Sequence, residues 1–90
     1  MNDYTFSKTF KKNGSKKIIL VIDDDKNIRF ILKTLFEKNN YRVETSGNLA
    51  GLLRLIKEIS PNLLVTDVKL PDGNFLEFLS ELKKLYPNLP

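Results

Sequence analysis

Ninety residues with 15 basic and 11 acidic side chains, a net charge of +4 and 41% hydrophobic content suit one small globular domain without a bias to disorder. The chain has no Cys and no His, which excludes disulfide scaffolds, thiol chemistry and the usual zinc or haem ligand sets, and leaves a hard, oxygen-held cation such as Mg²⁺ as the metal it could hold. No apolar run approaches the roughly 20 residues of a membrane span and no signal-peptide core opens the chain, so no membrane partner is expected and the expected compartment is cytoplasmic.

The surplus charge lies at the front. Residues 1–17 hold Lys8, Lys11, Lys12, Lys16 and Lys17 against Asp3, whereas residues 18–90 carry 10 basic and 10 acidic side chains. Residues 1–16 therefore read as a flexible basic tail, closed by Asn13-Gly14-Ser15. A solvated arm is the plainer reading; docking on a partner or on DNA through Tyr4, Phe6 and Phe10 is the other. A strand is predicted over residues 17–22, where Ile18-Ile19-Leu20-Val21-Ile22 shows no polar alternation and so suits burial on both faces. It runs straight into Asp23-Asp24-Asp25, three carboxylates that repel one another unless a positive charge lies between them.

Asp25 is placed to cap a helix over residues 26–38, in which Ile28, Ile31, Leu32, Leu35 and Phe36 form one apolar stripe and Asn39-Asn40 marks the end. Residues 41–45 alternate and read as a second, less buried strand. A helix follows over residues 49–59, with Leu49, Leu52, Leu53 and Ile56 on its inner face and Ser60-Pro61 as its stop. The third strand spans residues 62–66 and ends at Asp67. A loop over residues 68–74 leads to a third helix, over residues 75–85. Strand and helix thus alternate three times, the pattern of βαβ units with a parallel sheet and right-handed crossovers.

In open α/β sheets, ligands gather beyond the carboxyl ends of the strands, at the point where the strand order reverses. Asp23 and Asp24 follow one such end and Asp67 another. If the first and third strands are neighbours, with the second on the far side of the first, these acids share a cleft. Such a cleft suits Mg²⁺, and a carboxylate in it can take up a phosphoryl group as an aspartyl phosphate. For Asp25 alone, a helix cap is the better account.

The segments ILVIDDDKNIRFIL and PNLLVTDVKLPDGN together resemble the receiver domain of bacterial two-component response regulators, over residues 17–90. The resemblance implies a flavodoxin-like, doubly wound parallel sheet, here its first three βα units in strand order 2-1-3, and a chain that ends ahead of the fourth strand. It implies that Asp67 is the phosphoacceptor and that Mg²⁺ is held by Asp24 directly, by Asp23 through water, by Asp67, and by the backbone carbonyl of Lys69. The resemblance also implies that Pro71 shapes the loop beneath the phosphoryl group. The implied function is a signalling module, not a conventional enzyme, phosphorylated by a histidine kinase, able to pair as a receiver homodimer, and touching DNA only through an effector domain outside these residues. Phe75 stands where the family usually has Gly, so a local difference in that turn is expected.

Two further strands of a full receiver would bring a Ser/Thr and a Lys to the phosphoryl group. Without them the third strand is expected to be an open apolar edge, and residues 1–90 alone to be marginal or prone to associate. Two alternatives stand beside the leading reading: a non-switching remnant that acts only as an interaction module, and a haloacid-dehalogenase-like phosphatase fragment with Asp23 as nucleophile and Asp25 as acid. The Lys69 side chain, two residues past the acceptor, either governs access of attacking water or is an exposed loop lysine.

Overall fold

A computed structural model describes residues 5–9 (as backbone), 16–85 and 87. Five-residue strand β1 (Thr5–Thr9) comes first, followed by β2 (Ile18–Ile22), α1 (Lys26–Lys38), β3 (Arg42–Ser46), α2 (Leu49–Glu58) and β4 (Leu63–Asp67). A two-residue hairpin, β5 (Lys69–Leu70) with β6 (Gly73–Asn74), then leads into α3 (Phe75–Leu85).

The main sheet has the order β1-β4-β2-β3. Its parallel part, β4-β2-β3, is the expected arrangement in which the first strand of the alternating pattern lies between the other two. Every residue of β2 is buried. Its two faces serve different cores, because alternate side chains of a strand point to opposite sides. Leu20 and Ile22 join Leu49, Leu52, Leu55, Leu64, Leu70 and Phe75 beneath α2 and α3. Ile19 and Val21 join Val43 beneath α1, with Leu32 and Phe36 of that helix laid against them. The result is three layers, with one helix on one face and two on the other.

The helix boundaries follow from their caps. Asp25 is extended and its carboxylate accepts from the N–H groups of Asn27 and Ile28, opening α1. The closing turn of α1 is a Schellman motif: Tyr41 N–H donates to the Phe36 carbonyl and Asn40 N–H to that of Glu37. Asn40 takes a left-handed conformation there (φ 69°), and the Phe36 and Tyr41 rings meet edge to face as the accompanying apolar contact. Asn62 starts β4 as a clip, its side chain accepting from Ile18 N–H at 2.8 Å while its own N–H donates to the Ile18 carbonyl.

Besides the β5–β6 hairpin, which replaces the loop expected over residues 68–74, four details depart from the sequence reading. The residues expected to form a flexible tail include a strand: Thr5–Thr9 pairs antiparallel with the whole of β4, so that edge is covered over its length. Extended T-F-S-K-T suits a strand by composition, and the open backbone groups of β4 supply the partner. Tyr4 and Phe10, named as docking candidates, lie outside the described residues. On α2 it is Leu55 rather than Leu53 that is buried, since the helix turns its 49-52-55 line to the sheet. On α1 the stripe is wider than the surface beneath it, leaving Ile31 and Leu35 more than half exposed. Phe75, placed where a glycine was expected, is fully buried in the larger core; the left-handed backbone falls instead at Gly73 (φ 148°).

Candidate functional site

The register of the sheet decides which acids meet. β2 and β4 run parallel with Ile19 opposite Leu63, Val21 opposite Val65 and Ile22 opposite Thr66. One step further along both strands stand Asp23 and Asp67. By alternation each continues the face that carries Val21 and Val65, the α1 side of the sheet. Asp24 lies just beyond. Carboxylate oxygens of Asp23, Asp24 and Asp67 lie within 4.8 Å of one another. The cleft below them is lined by Val21, Ile22, Leu32, Val65 and Thr66.

Burial differs sharply across the three. Asp23 and Asp67 are 5% and 2% exposed, whereas Asp24 is open to solvent. Lys33–Glu37, Arg42–Glu44, Arg54–Glu58 and Lys84–Glu81 are ion pairs among the described residues, and none of these four reaches Asp23 or Asp24. Carboxylates drawn this close in a partly dry site repel by several kcal/mol at an effective dielectric of about 20 unless a cation offsets them. All the donors are oxygen, the set a hard divalent ion takes, and the exposed Asp24 leaves a side on which such an ion keeps its waters. The residues present therefore fit Mg²⁺.

The loops hold these acids by backbone contacts. Asp23 N–H donates to the Ser46 carbonyl at 3.0 Å, extending the β2–β3 ladder by one residue. One Asp23 carboxylate oxygen accepts from Asp25 N–H at 2.9 Å, which fixes its orientation in the turn. Thr66, buried beside Asp67, donates its hydroxyl to the Asp67 carbonyl at 2.9 Å. Asp25 points elsewhere: its carboxylate caps α1, as expected from the sequence, and is committed to that role rather than to acid chemistry.

Beyond Asp67 the chain does not form a plain loop. Pro71 and Asp72 are the two turn residues of the β5–β6 hairpin, where the fixed φ of proline suits the first turn position. Leu70 anchors the hairpin in the larger core, and Phe75 N–H donates to the Val68 carbonyl at 2.7 Å. Lys69 is exposed at the start of β5. Asp72, a residue the sequence reading passed over, reaches across to α2: its two carboxylate oxygens accept from Leu49 N–H at 2.8 Å and Ala50 N–H at 3.1 Å. The bond from Leu49 is the main cause that holds the Asp72 carboxyl below the usual aspartate range. Only its proline-turn context, P-D-G, could have hinted at it.

The site can thus gather a divalent cation and offer a carboxylate at a strand end to an electrophile. No helix among the described residues is long and apolar enough to cross a membrane. Residues 19–90 match the model of the response regulator receiver domain. The chain is 42% identical over 72 residues to the DNA-binding transcriptional regulator NtrC of Bradyrhizobium sp., covering 80% of this chain and 15% of that protein. It is 37% identical over 75 residues to NtrC of Azospirillum brasilense, covering 83% of this chain and 16% of that one. It is 36% identical over 69 residues to the virulence factors putative positive transcription regulator BvgA of Bordetella pertussis, covering 74% of this chain and 32% of that protein. The chain thus spans well under two thirds of these relatives. No solved structure gives a significant match.

Proposed function

The chain belongs to the response regulator receiver domain family, and on that premise we propose that it is a phosphoacceptor module, taking a phosphoryl group on Asp67 from a histidine kinase in a Mg²⁺-dependent reaction. The observation that carries the reading is the convergence of Asp23, Asp24 and Asp67 at adjoining strand ends.

In the transfer, an Asp67 carboxylate oxygen attacks the phosphorus of a phosphorylated imidazole on the kinase. A P–O bond forms, the P–N bond breaks, and the departing imidazole nitrogen takes up a proton. Asp24, Asp23, Asp67 and the Lys69 carbonyl are the groups that would hold Mg²⁺; when bound, it offsets charge on the phosphoryl oxygens. The chain's own contribution is position. The Ser46 and Asp25 contacts fix Asp23, the Thr66 hydroxyl holds the Asp67 peptide, and the Pro71 hairpin sets the path of the loop past the acceptor. Phosphorylation then shifts the balance between two arrangements of the surrounding surface.

Proposed partners follow from the family: a histidine kinase as donor, a second receiver as a pairing partner, and DNA through an effector region such as that named for the NtrC relatives. The setting is the cytoplasm. The direct test incubates the chain with Mg²⁺ and acetyl phosphate and measures intact mass. A single phosphoryl adduct, stable in acid and labile in base, is expected, absent without Mg²⁺ and absent in Asp67→Asn. An adduct on Asp23 would favour phosphatase-like chemistry. No adduct at all would leave an interaction module that does not switch.

A further inference from the structure

Between the loop that carries Asp23 and Asp24 and the loop that follows β3 sits the guanidinium of Arg29, from the first turns of α1. Its Nη1 donates to the main-chain carbonyl of Asp23 at 2.6 Å, a short, charge-assisted bond. The opposite side of the slot is Gly47. A Cβ built on Gly47 would stand 2.9 Å from Arg29 Nη1 and 3.6 Å from its Cζ, and only 3.8 Å from the Asp23 carbonyl oxygen. Gly47 does not have the left-handed backbone that would itself demand glycine; among the described glycines that conformation belongs to Gly73. What the position lacks is room, and the space is filled by Arg29.

We infer that Arg29 is a positioning residue for the cation site and that Gly47 keeps open the slot in which it works. The peptide that Arg29 grips joins Asp23 to Asp24, so its orientation sets the direction in which both carboxylates leave the chain. Three anchors converge there: Ser46 carbonyl on the Asp23 N–H, Asp25 N–H on the Asp23 carboxylate, and Arg29 on the Asp23 carbonyl. The first two are local to the strands and the turn. Arg29 is the one that brings a helix side chain onto the peptide between the acids.

The inference rests on the cation reading of the site, and the sign of the effect separates it from simple charge. Arg29 is positive and close to the acids. If it acted only through its charge, its removal would tighten Mg²⁺ binding. If it positions the acids, its removal weakens binding, as the loss of outer-shell partners commonly does by about ten- to a hundredfold.

The experiment is a Mg²⁺ titration of the whole chain, followed by amide chemical shifts of residues 23–25 and 67, with thermal melts in the absence of Mg²⁺ alongside. Arg29→Met is expected to weaken Mg²⁺ binding about tenfold. Gly47→Ala keeps the charge but displaces the guanidinium, and is expected to weaken binding in the same direction. Arg29→Lys, which retains a donor on a long stem, is expected to recover part of the loss. The double variant Arg29→Met with Gly47→Ala is expected to bind no more weakly than Arg29→Met alone, because the alanine methyl then displaces nothing. Tighter binding in Arg29→Met, or additive losses in the double variant, would overturn the inference. So would Mg²⁺ affinities that follow only the melting temperatures of the variants. A wild-type chain that binds no Mg²⁺ overturns the cation reading itself, whereas unchanged affinity in variants of a chain that does bind overturns the role of Arg29 alone.

Discussion

Replacing Asp72 by alanine is the sharpest test of how the hairpin is held to α2. A helix begins with four N–H groups that have no intrahelical partner. In α2 those of Leu49 and Ala50 are taken by Asp72 and that of Gly51 by Asn48. Asp72→Ala strips two of the three at once, along with a negative charge at the positive end of the helix dipole. Loss of a capping side chain costs about 0.5–2 kcal/mol and loss of a favourable helix-end charge about 0.3–1 kcal/mol. Water reaches the exposed carboxylate and the freed donors, so the lower half of each range applies and the sum is about 1.5 kcal/mol at neutral pH. For a domain of this size that lowers the melting temperature by roughly 6–12 °C.

The pH dependence follows from the lowered pKa of Asp72. A carboxylate whose folded value is depressed binds its proton less readily when folded. Its contribution is complete above the unfolded value near about 3.9 and fades as pH falls through the folded one. Urea melts of wild type and Asp72→Ala, followed by circular dichroism at pH 7, 5 and 3.5, should show a gap that is constant at the upper two and begins to close at the lowest. Asp72→Asn keeps one acceptor oxygen and should fall between them. A neutral-pH gap below about 0.3 kcal/mol, or one that widens as pH falls, would refute the assigned contacts.

Three other outcomes are expected. Asn40→Gly relieves a left-handed side-chain-bearing residue in the closing turn of α1 and should stabilise the fold by about 0.5 kcal/mol, while Asn40→Ala should destabilise it by about 1 kcal/mol; urea midpoints measure both. Leu52→Ala empties a fully buried position in the larger core and should cost about 2–5 kcal/mol, whereas Leu35→Lys, on the half-exposed α1 stripe, should stay within about 0.5 kcal/mol. Deleting residues 1–10 removes β1 and bares the backbone of β4, so sedimentation should show concentration-dependent association that the full chain shows less of.

What could be read in the sequence was whatever depends on local pattern. The unbroken Ile18–Ile22 run announced a strand with two dry faces, the Asp25 cap announced the start of α1, and the acid at the end of each of two such strands announced the cleft. Contacts that exist only after folding were not legible. Nothing near Asp72 in the chain marks the N-terminus of α2 as its partner, and nothing near Gly47 marks the Arg29 side chain that fills its space. The β5–β6 hairpin has only two residues per strand, too few to show a period. β1 was hidden by charge: the lysines around it favoured a solvated reading, while its stabilising partner, the edge of β4, lies more than fifty residues away in the chain.

The direction of β1 has a practical side. Because it runs antiparallel to β4, Thr5 is paired with Asp67, and Thr9 with Leu63 at the opposite end. Thr5 thus stands at the level of the acceptor. An affinity tag fused directly ahead of Thr5 in place of residues 1–4 would start at that level, so unequal phosphorylation rates in tagged and untagged protein would be a steric artefact of placement. The same register makes Thr5 a reporter position: a small dye carried on Thr5→Cys would start from the backbone paired with Asp67 and sense its change of charge.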